Sequence, residues 1–237
     1  MITLRQHIEI LANSGTDEGL NRYLKGLSVI KMLDLQEDIE KVYPLKRKKV
    51  DYTRLNFRVY SKVFDLVLGQ FIMIEQIFTG KDEVPKHLFD FSILRLILRP
   101  ITDTEFDNTD IEKERLNDEA ILELDVETAM SILADFTDDR NRVLFKEFAG
   151  VFYDPEQKND GEEEKEEQSN EDTFEYKFKE QWYWYSIVRR LAGENILNYE
   201  KVYMLKMEVV LPELSFLIQK AKVDKAQEFR NRVGRGL

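Results

Sequence analysis

The chain has 237 residues, 43% of them hydrophobic and including fifteen Phe and ten Tyr, which is enough apolar material for one large domain or two small ones. It has no Cys, which excludes disulfides, a thiolate metal site and a thiol nucleophile, and no apolar run approaches the roughly 20 uncharged residues that span a bilayer. Of the net charge of −11, a segment from Asp154 to Asp172 with ten acids and two lysines carries −8, so the remainder is nearly balanced and, the basic C-terminal stretch apart, double-stranded nucleic acid is disfavoured as the main partner.

In chain order, Thr3 reads as the cap of a helix carrying Leu4, Ile8 and Leu11, stopped by Asn13-Ser14-Gly15. The start, MITLRQHIEILANSG, lacks the basic head and apolar run of a signal peptide, so export by that route is not expected. A second amphipathic helix follows Asp17 with Leu20, Leu24 and Leu27, reaching about Met32, and DLQEDIEKVY before Pro44 predicts a short third one. The basic cluster Lys46-Arg47-Lys48-Lys49 is read as a solvated turn. The period then falls to two: Leu55, Phe57 and Val59 alternate with Asn56, Arg58 and Tyr60, and Val63 to Val67 follow Ser61-Lys62, which predicts a small β-hairpin near 55–67.

LGQFIMIEQIF, residues 68–78, places Phe71, Ile74 and Phe78 on one helical face and ends at Thr79-Gly80. Further helices are expected over Leu88–Arg99, limited by Pro100, over Glu112–Leu122 and over Val126–Phe136, before VLFKEFAGVFY with Leu144, Phe148 and Val151 on one face. The stretch after Tyr153 has no aliphatic or aromatic residue until Phe174, so it cannot offset the entropy of ordering and is read as a flexible acidic linker, 154–173. Beyond it, Phe174, Phe178, Trp182, Tyr185 and Val188 form a stripe along a helix closed by Gly193. A short helix around Tyr199–Met204 leads to a last one over about Met207–Arg232, which Pro212 either kinks or enters in its first turn. No internal repeat is evident. The expected architecture is mainly α: a helical domain with one hairpin over 1–153, the linker, and a C-terminal helical module over 174–237.

Chemistry is sparse. His7 and His87 stand apart with no Ser nucleophile beside them and no paired-His spacing, and no Gly-rich loop carries a phosphate-binding lysine. Asp103 to Glu114 sets acids at positions 1, 3, 5 and 12 of a calcium-binding loop, but Asn108 replaces the required glycine and Asp110 occupies the inward apolar position, so a solvated acidic loop is the reading. No catalytic residue, metal or cofactor is expected. The run Trp182-Tyr183-Trp184-Tyr185 must face both inward and outward on a helix, so it combines core packing with an exposed aromatic face; beside Arg189 and Arg190 it suits a protein interface.

Two stretches carry a family resemblance. The order FDLVLGQFIMIEQIFTGK, FSILRLILRP, an acidic loop and VETAMSILADF, with Asp65, Leu66, Gly69, Gln70 and Phe71 as matching positions, resembles tail assembly chaperone-like proteins of tailed bacteriophages. So does the C-terminal stretch from Trp182 to Lys222, through Trp182, Trp184, Leu191, Ala192 and Gly193; it departs from that pattern at Pro212, as the first stretch does at Val67-Leu68. The resemblance implies a non-enzymatic protein of the host cytoplasm that holds the tape measure protein or tail-tube components during tail assembly. The alternative is a structural virion component, in the tail or the head-tail connector. Trp182, Trp184, Tyr185, Arg189, Arg190, Gln70 and Phe71 are then the candidate protein-binding residues. Phage tail proteins are the expected partners, with self-association as a further one and no membrane role.

Overall fold

The computed structural model describes residues 2–13, 45–102, 106, 111–152 and 170–234. The protein is mainly helical, with nine α-helices and one two-stranded antiparallel sheet among the described residues. The helices are α1 Leu4–Asn13, α2 Leu68–Phe78, α3 Phe89–Ile97, α4 Ile111–Leu122, α5 Val126–Arg142, α6 Ala149–Phe152, α7 Asn170–Leu191, α8 Tyr199–Tyr203 and α9 Met207–Gly234. The predicted second and third helices lie outside the described residues, as do residues 154–169 of the expected linker. Residues 170–173, assigned to that linker, instead open α7.

Chain ends of helices follow the local chemistry. Thr3 and Gln6 form a reciprocal capping box on α1: the Gln6 N–H donates to Thr3 Oγ1 at 3.3 Å and the Thr3 N–H donates to Gln6 Oε1 at 2.9 Å. Gly80, at φ 69°, closes α2, with the Lys81 N–H reaching back to the Gln76 carbonyl at 2.9 Å and the Gly80 N–H to Ile77 at 3.1 Å.

The sheet corrects one expectation. Strand β1, Phe57–Val59, has the alternation read from the sequence, but its partner is not the following run. It pairs with β2, Leu98–Pro100, in the register Phe57 with Pro100, Arg58 with Arg99 and Val59 with Leu98. Residues 63–65, expected as the returning strand of a hairpin near 55–67, form a 3-10 turn that buries Val63. The physical reason lies at Pro100, which disfavours helix at the residue before it, so α3 stops at Ile97 and the chain leaves it extended. Tyr60 extends the pairing by donating its N–H to the Ile97 carbonyl at 2.9 Å.

Two compact units account for the chain, and neither is continuous in sequence. The first comprises residues 1–62 and 73–139; the second comprises 63–72 and 140–237. This division differs from the linear one at 153, because residues 63–72 and 140–152 group with the C-terminal helices.

In the first unit a single turn of pairing ties two helix starts together. Thr3 bridges Asp125, the Leu4 N–H donates to the Leu124 carbonyl at 2.8 Å, and the Val126 N–H donates to Ile2 at 3.0 Å. The first N–H groups of a helix have no partner within it, and here each helix's entry strand supplies one to the other. The strap 45–54 lies along α5 by polar contacts: Arg47 meets Asp135 and Asp138, each at 2.5 Å, Lys48 pairs with Asp125, and the Lys48 N–H donates to Ser131 Oγ at 3.0 Å. The basic cluster is thus exposed, but two of its members are matched to acids. Tyr52, partly buried and donating to Asp135, has its hydroxyl pushed up to about 12.

Burial also acts on His7, which is 5% exposed and whose pKa is lowered by loss of solvation. A folded-state value below the unfolded value of about 6.5 means the unfolded chain takes up the proton first, so stability falls as pH drops from about 6.5 toward the folded-state pKa. Asp125 and Asp135 act lower on the scale: burial opposes their ionisation, yet hydrogen bonds from Lys48 and Thr128, and from Tyr52 and Arg47, hold both carboxyls below the usual range. Their contribution is present above about pH 3.9 and is lost below it. Urea melts between pH 7 and 5 are expected to show a stability decline that His7→Gln flattens; an unchanged slope would remove His7 as its source.

The second unit repeats the pairing device. Val67 bridges Lys206, the Leu68 N–H donates to Leu205 at 2.8 Å, and the Met207 N–H donates to Leu66 at 2.8 Å, so the starts of α2 and α9 are tied as those of α1 and α5 are.

Candidate functional site

The predicted binding residues all fall in the second unit, where the structure separates them into buried and exposed sets. Phe71 is fully buried, and its ring meets Trp184 edge-on, centroids 5.7 Å apart at 89°, and Phe152 at 6.2 Å. Phe152 and Trp184 close the triangle at 6.5 Å. Tyr183 adds its ring to Trp184 at 5.0 Å and donates its hydroxyl to the Val151 carbonyl at 3.3 Å. Gln70 is 1% exposed. Gly69 faces α8, where a Cβ would make an ordinary contact 3.4 Å from the Tyr203 carbonyl oxygen. Phe71 and Gln70 therefore belong to the unit's interior, and half-buried Trp184 packs against it, while the surface falls to others.

That surface begins on the opposite side of α7. Trp182 and Tyr185, three residues apart and so neighbours on one face, are 39% and 41% exposed and meet edge-on at 5.4 Å. Tyr185 meets Tyr199 of α8 at 5.9 Å, with the Tyr199 hydroxyl 3.5 Å from that of Tyr185. Val188, placed on the same stripe by the sequence reading, is fully buried, so the stripe turns inward before the helix ends.

The turn after α7 adds an aliphatic tip. Gly193 at φ 62° and Glu194 at φ 61° are two successive left-handed residues, an unfavourable state for a residue with a Cβ. They let the Glu194 N–H reach the Arg189 carbonyl at 2.9 Å, and the Arg189 and Glu194 side chains pair at 3.6 Å. Asn195 then caps a 3-10 turn, its Oδ1 accepting from the Leu197 N–H at 3.1 Å. The result holds Ile196 and Leu197 outward, 70% and 82% exposed, with Asn198 between them and Tyr199. Sequence reasoning missed this pair because a turn has no periodicity to flag it; two adjacent aliphatics in Glu-Asn-Ile-Leu were the available signal.

On the other flank a groove of about 250 Å³ opens between α7 and α9, lined by Tyr183, Ile187, Leu214, Leu217 and Ile218 among others. Arg190 sits at it, donating to the Leu217 carbonyl at 3.4 Å.

Among the described residues no cluster of His, Cys, Asp or Glu could hold a metal ion, and no helix is long and apolar enough to cross a membrane. Of the acidic stretch 103–114, Glu114 is engaged in an ion pair with Arg99, and most of the rest lies outside the described residues. No family model, curated protein or solved structure matches this chain.

Proposed function

We propose that this chain is a non-enzymatic assembly chaperone or adaptor of the tailed-bacteriophage kind, acting in the host cytoplasm to hold the tape measure protein or tail-tube components while the tail is built. The observation that carries the reading is the exposed pair Trp182 and Tyr185, backed by half-buried Tyr199, together with exposed Ile196 and Leu197 on the turn that precedes Tyr199. Aromatic residues held by neighbours in fixed geometry, with aliphatics beside them, are what protein interfaces use as anchors. The resemblance in the sequence supplies the class of partner.

Co-expression with the tape measure protein of the same genome tests it. Trp182→Ala combined with Leu197→Asp is expected to weaken co-purification about a thousandfold in affinity, from a loss of roughly 2 kcal/mol at each of the two anchors, with the circular dichroism and melting of the chain unchanged. Unchanged capture would sink the proposal. Mass spectrometry of purified particles separates it from a permanent virion component, since a chaperone leaves the finished tail.

A further inference from the structure

The two ties between helix starts share more than their backbone bonds. Thr3 bridges Asp125 as Val67 bridges Lys206, and setting Thr3 against Val67 aligns ITLRQHIEI, residues 2–10, with LVLGQFIMI, residues 66–74. Leu4, Gln6, Ile8 and Ile10 then fall on Leu68, Gln70, Ile72 and Ile74. Burial follows the same order: residues 2, 4, 7 and 10 are buried in the first segment and 66, 68, 71 and 74 in the second, while 3 and 5, like 67 and 69, are half-buried. Gln70 and Ile72 are buried as well, where Gln6 and Ile8 are half-buried. An extended stretch leading into a helix explains alternate burial at the first positions. It does not explain why Leu, Gln and Ile recur at the same places.

The receiving corners agree too. Leu124-Asp125-Val126-Glu127 stands where Leu205-Lys206-Met207-Glu208 stands, and the first Leu of each donates its N–H three residues back, Leu124 to Ile121 at 3.0 Å and Leu205 to Val202 at 3.1 Å. Val126, Ala129 and Leu133 are buried in one corner, and Met207, Val210 and Leu214, at the same spacing, in the other. The helix before each corner meets the incoming segment at one position: Arg5 reaches Glu119 and Glu123 at 2.5 and 3.1 Å, and its counterpart Gly69 faces Tyr203. One helix earlier, Phe91-Ser92-Ile93-Leu94-Arg95 of α3 matches Tyr185-Ser186-Ile187-Val188-Arg189 of α7, with Leu94 and Val188 fully buried, and α3 packs on α4 as α7 packs on α8. The matching pieces alternate along the chain, α1 and α2 first and then the remainder of each unit. Three different offsets are therefore needed to align them, and an end-to-end reading of the sequence shows no repeat.

We infer that the two units are copies of one module, and that the corner in each is a docking site for a helix start of the pattern Leu-x-Gln-x-Ile, which the chain fills with its own segments 2–10 and 66–74. The inference stands apart from the adaptor reading. Backbone bonds on either side of the bridge fix how far the segment inserts, and the side chains at alternate positions select which segment it is. A slip of one residue would turn Thr3 and Arg5 to the buried side in place of Ile2 and Leu4. His7 holds in the first copy the buried place that Phe71 holds in the second.

The test grafts one segment onto the other corner in the full chain. Ile2→Leu, Thr3→Val, Arg5→Gly and His7→Phe together give residues 2–8 the sequence of residues 66–72. Amide hydrogen exchange reads docking at Val126, whose N–H is held by the Ile2 carbonyl at 3.0 Å. In the graft the Val126 amide is expected to exchange within about tenfold of its rate in the unaltered chain. A control that slips the pattern by one residue, Ile2→Thr with Thr3→Ile, Leu4→Arg and Arg5→Leu, keeps the composition and should exchange at least about a hundredfold faster. A second graft that retains His7 separates a ring too large for its place from failed docking. Protection in either graft with release in the control upholds the inference. Release of Val126 in both grafts overturns it, and so does protection in the slipped control, which would mean that the corner does not read the pattern.

Discussion

Replacing Phe71 by alanine is expected to lower the unfolding free energy by about 3–5 kcal/mol, the range for truncating a fully buried aromatic. Phe71 has no exposed surface, and two other rings, Trp184 and Phe152, stand edge-on to it. Deletion therefore removes the transfer energy of the ring and the aromatic pairing, about 0.5–1.5 kcal/mol per pair, and leaves a cavity whose walls come from three separate helices. Urea unfolding followed by tryptophan fluorescence measures it directly, since Trp184 forms one wall. Phe71→Leu, which keeps most of the volume, should cost much less. A loss below about 1 kcal/mol for the alanine variant would mean that this cluster is not the centre of its unit. Because Phe71 is one of the candidate binding residues, the variant also separates two roles for it: reduced stability with retained partner binding identifies a packing position.

Arg99→Met is the second large effect, also about 3–5 kcal/mol, for a different reason. Arg99 is 1% exposed and its Nη1 lies 2.5 Å from Glu114 Oε1, itself buried. Arg95 approaches Glu114 at 3.6 Å and Asp118 at 3.2 Å, and the Phe106 ring lies 5.2 Å from the Arg99 guanidinium. Asn117 donates to the Leu98 carbonyl at 3.0 Å, so α4 holds strand β2 by charge and by hydrogen bond together. Removing Arg99 leaves Glu114 short of a buried counter-charge, and that uncompensated charge is the cost. Arg99→Met with Glu114→Leu should recover most of the loss, because an apolar pair of similar volume needs no solvation. A double variant as unstable as the single one would show that shape, not charge, makes the difference.

The sequence announces some of this more clearly than the rest. Helix limits at Thr3, Gly80 and Gly193 were legible because capping chemistry is local: a side-chain oxygen, or a residue free to adopt positive φ, marks the boundary itself. The sheet was legible only by half, since alternation at Phe57 and Val59 shows a strand but cannot point forty residues on to Leu98. In the run from Trp182 to Tyr185 each residue turns the helix by about 100°. Four aromatics in a row must therefore divide between inside and outside, and only the fold shows that Trp184 turns toward Phe71 while Trp182 and Tyr185 stay out. Phe71 and Gln70 looked available as members of a pattern, but burial is a tertiary property. Ile196 and Leu197 carried no periodic signal because a strained turn, not a helix, presents them.

The tie between Leu66 and Met207 also sets an order of events during synthesis. Leu66, Leu68 and Phe71 leave the ribosome early, while the groups that complete them, the Met207 backbone and the Trp184 ring, come from the far end of the chain. At about 5–20 residues per second the interval is on the order of ten seconds, long compared with collapse of the earlier residues. For that time three apolar side chains wait without their native neighbours, so the half-made chain is most open to aggregation before its last helices have emerged.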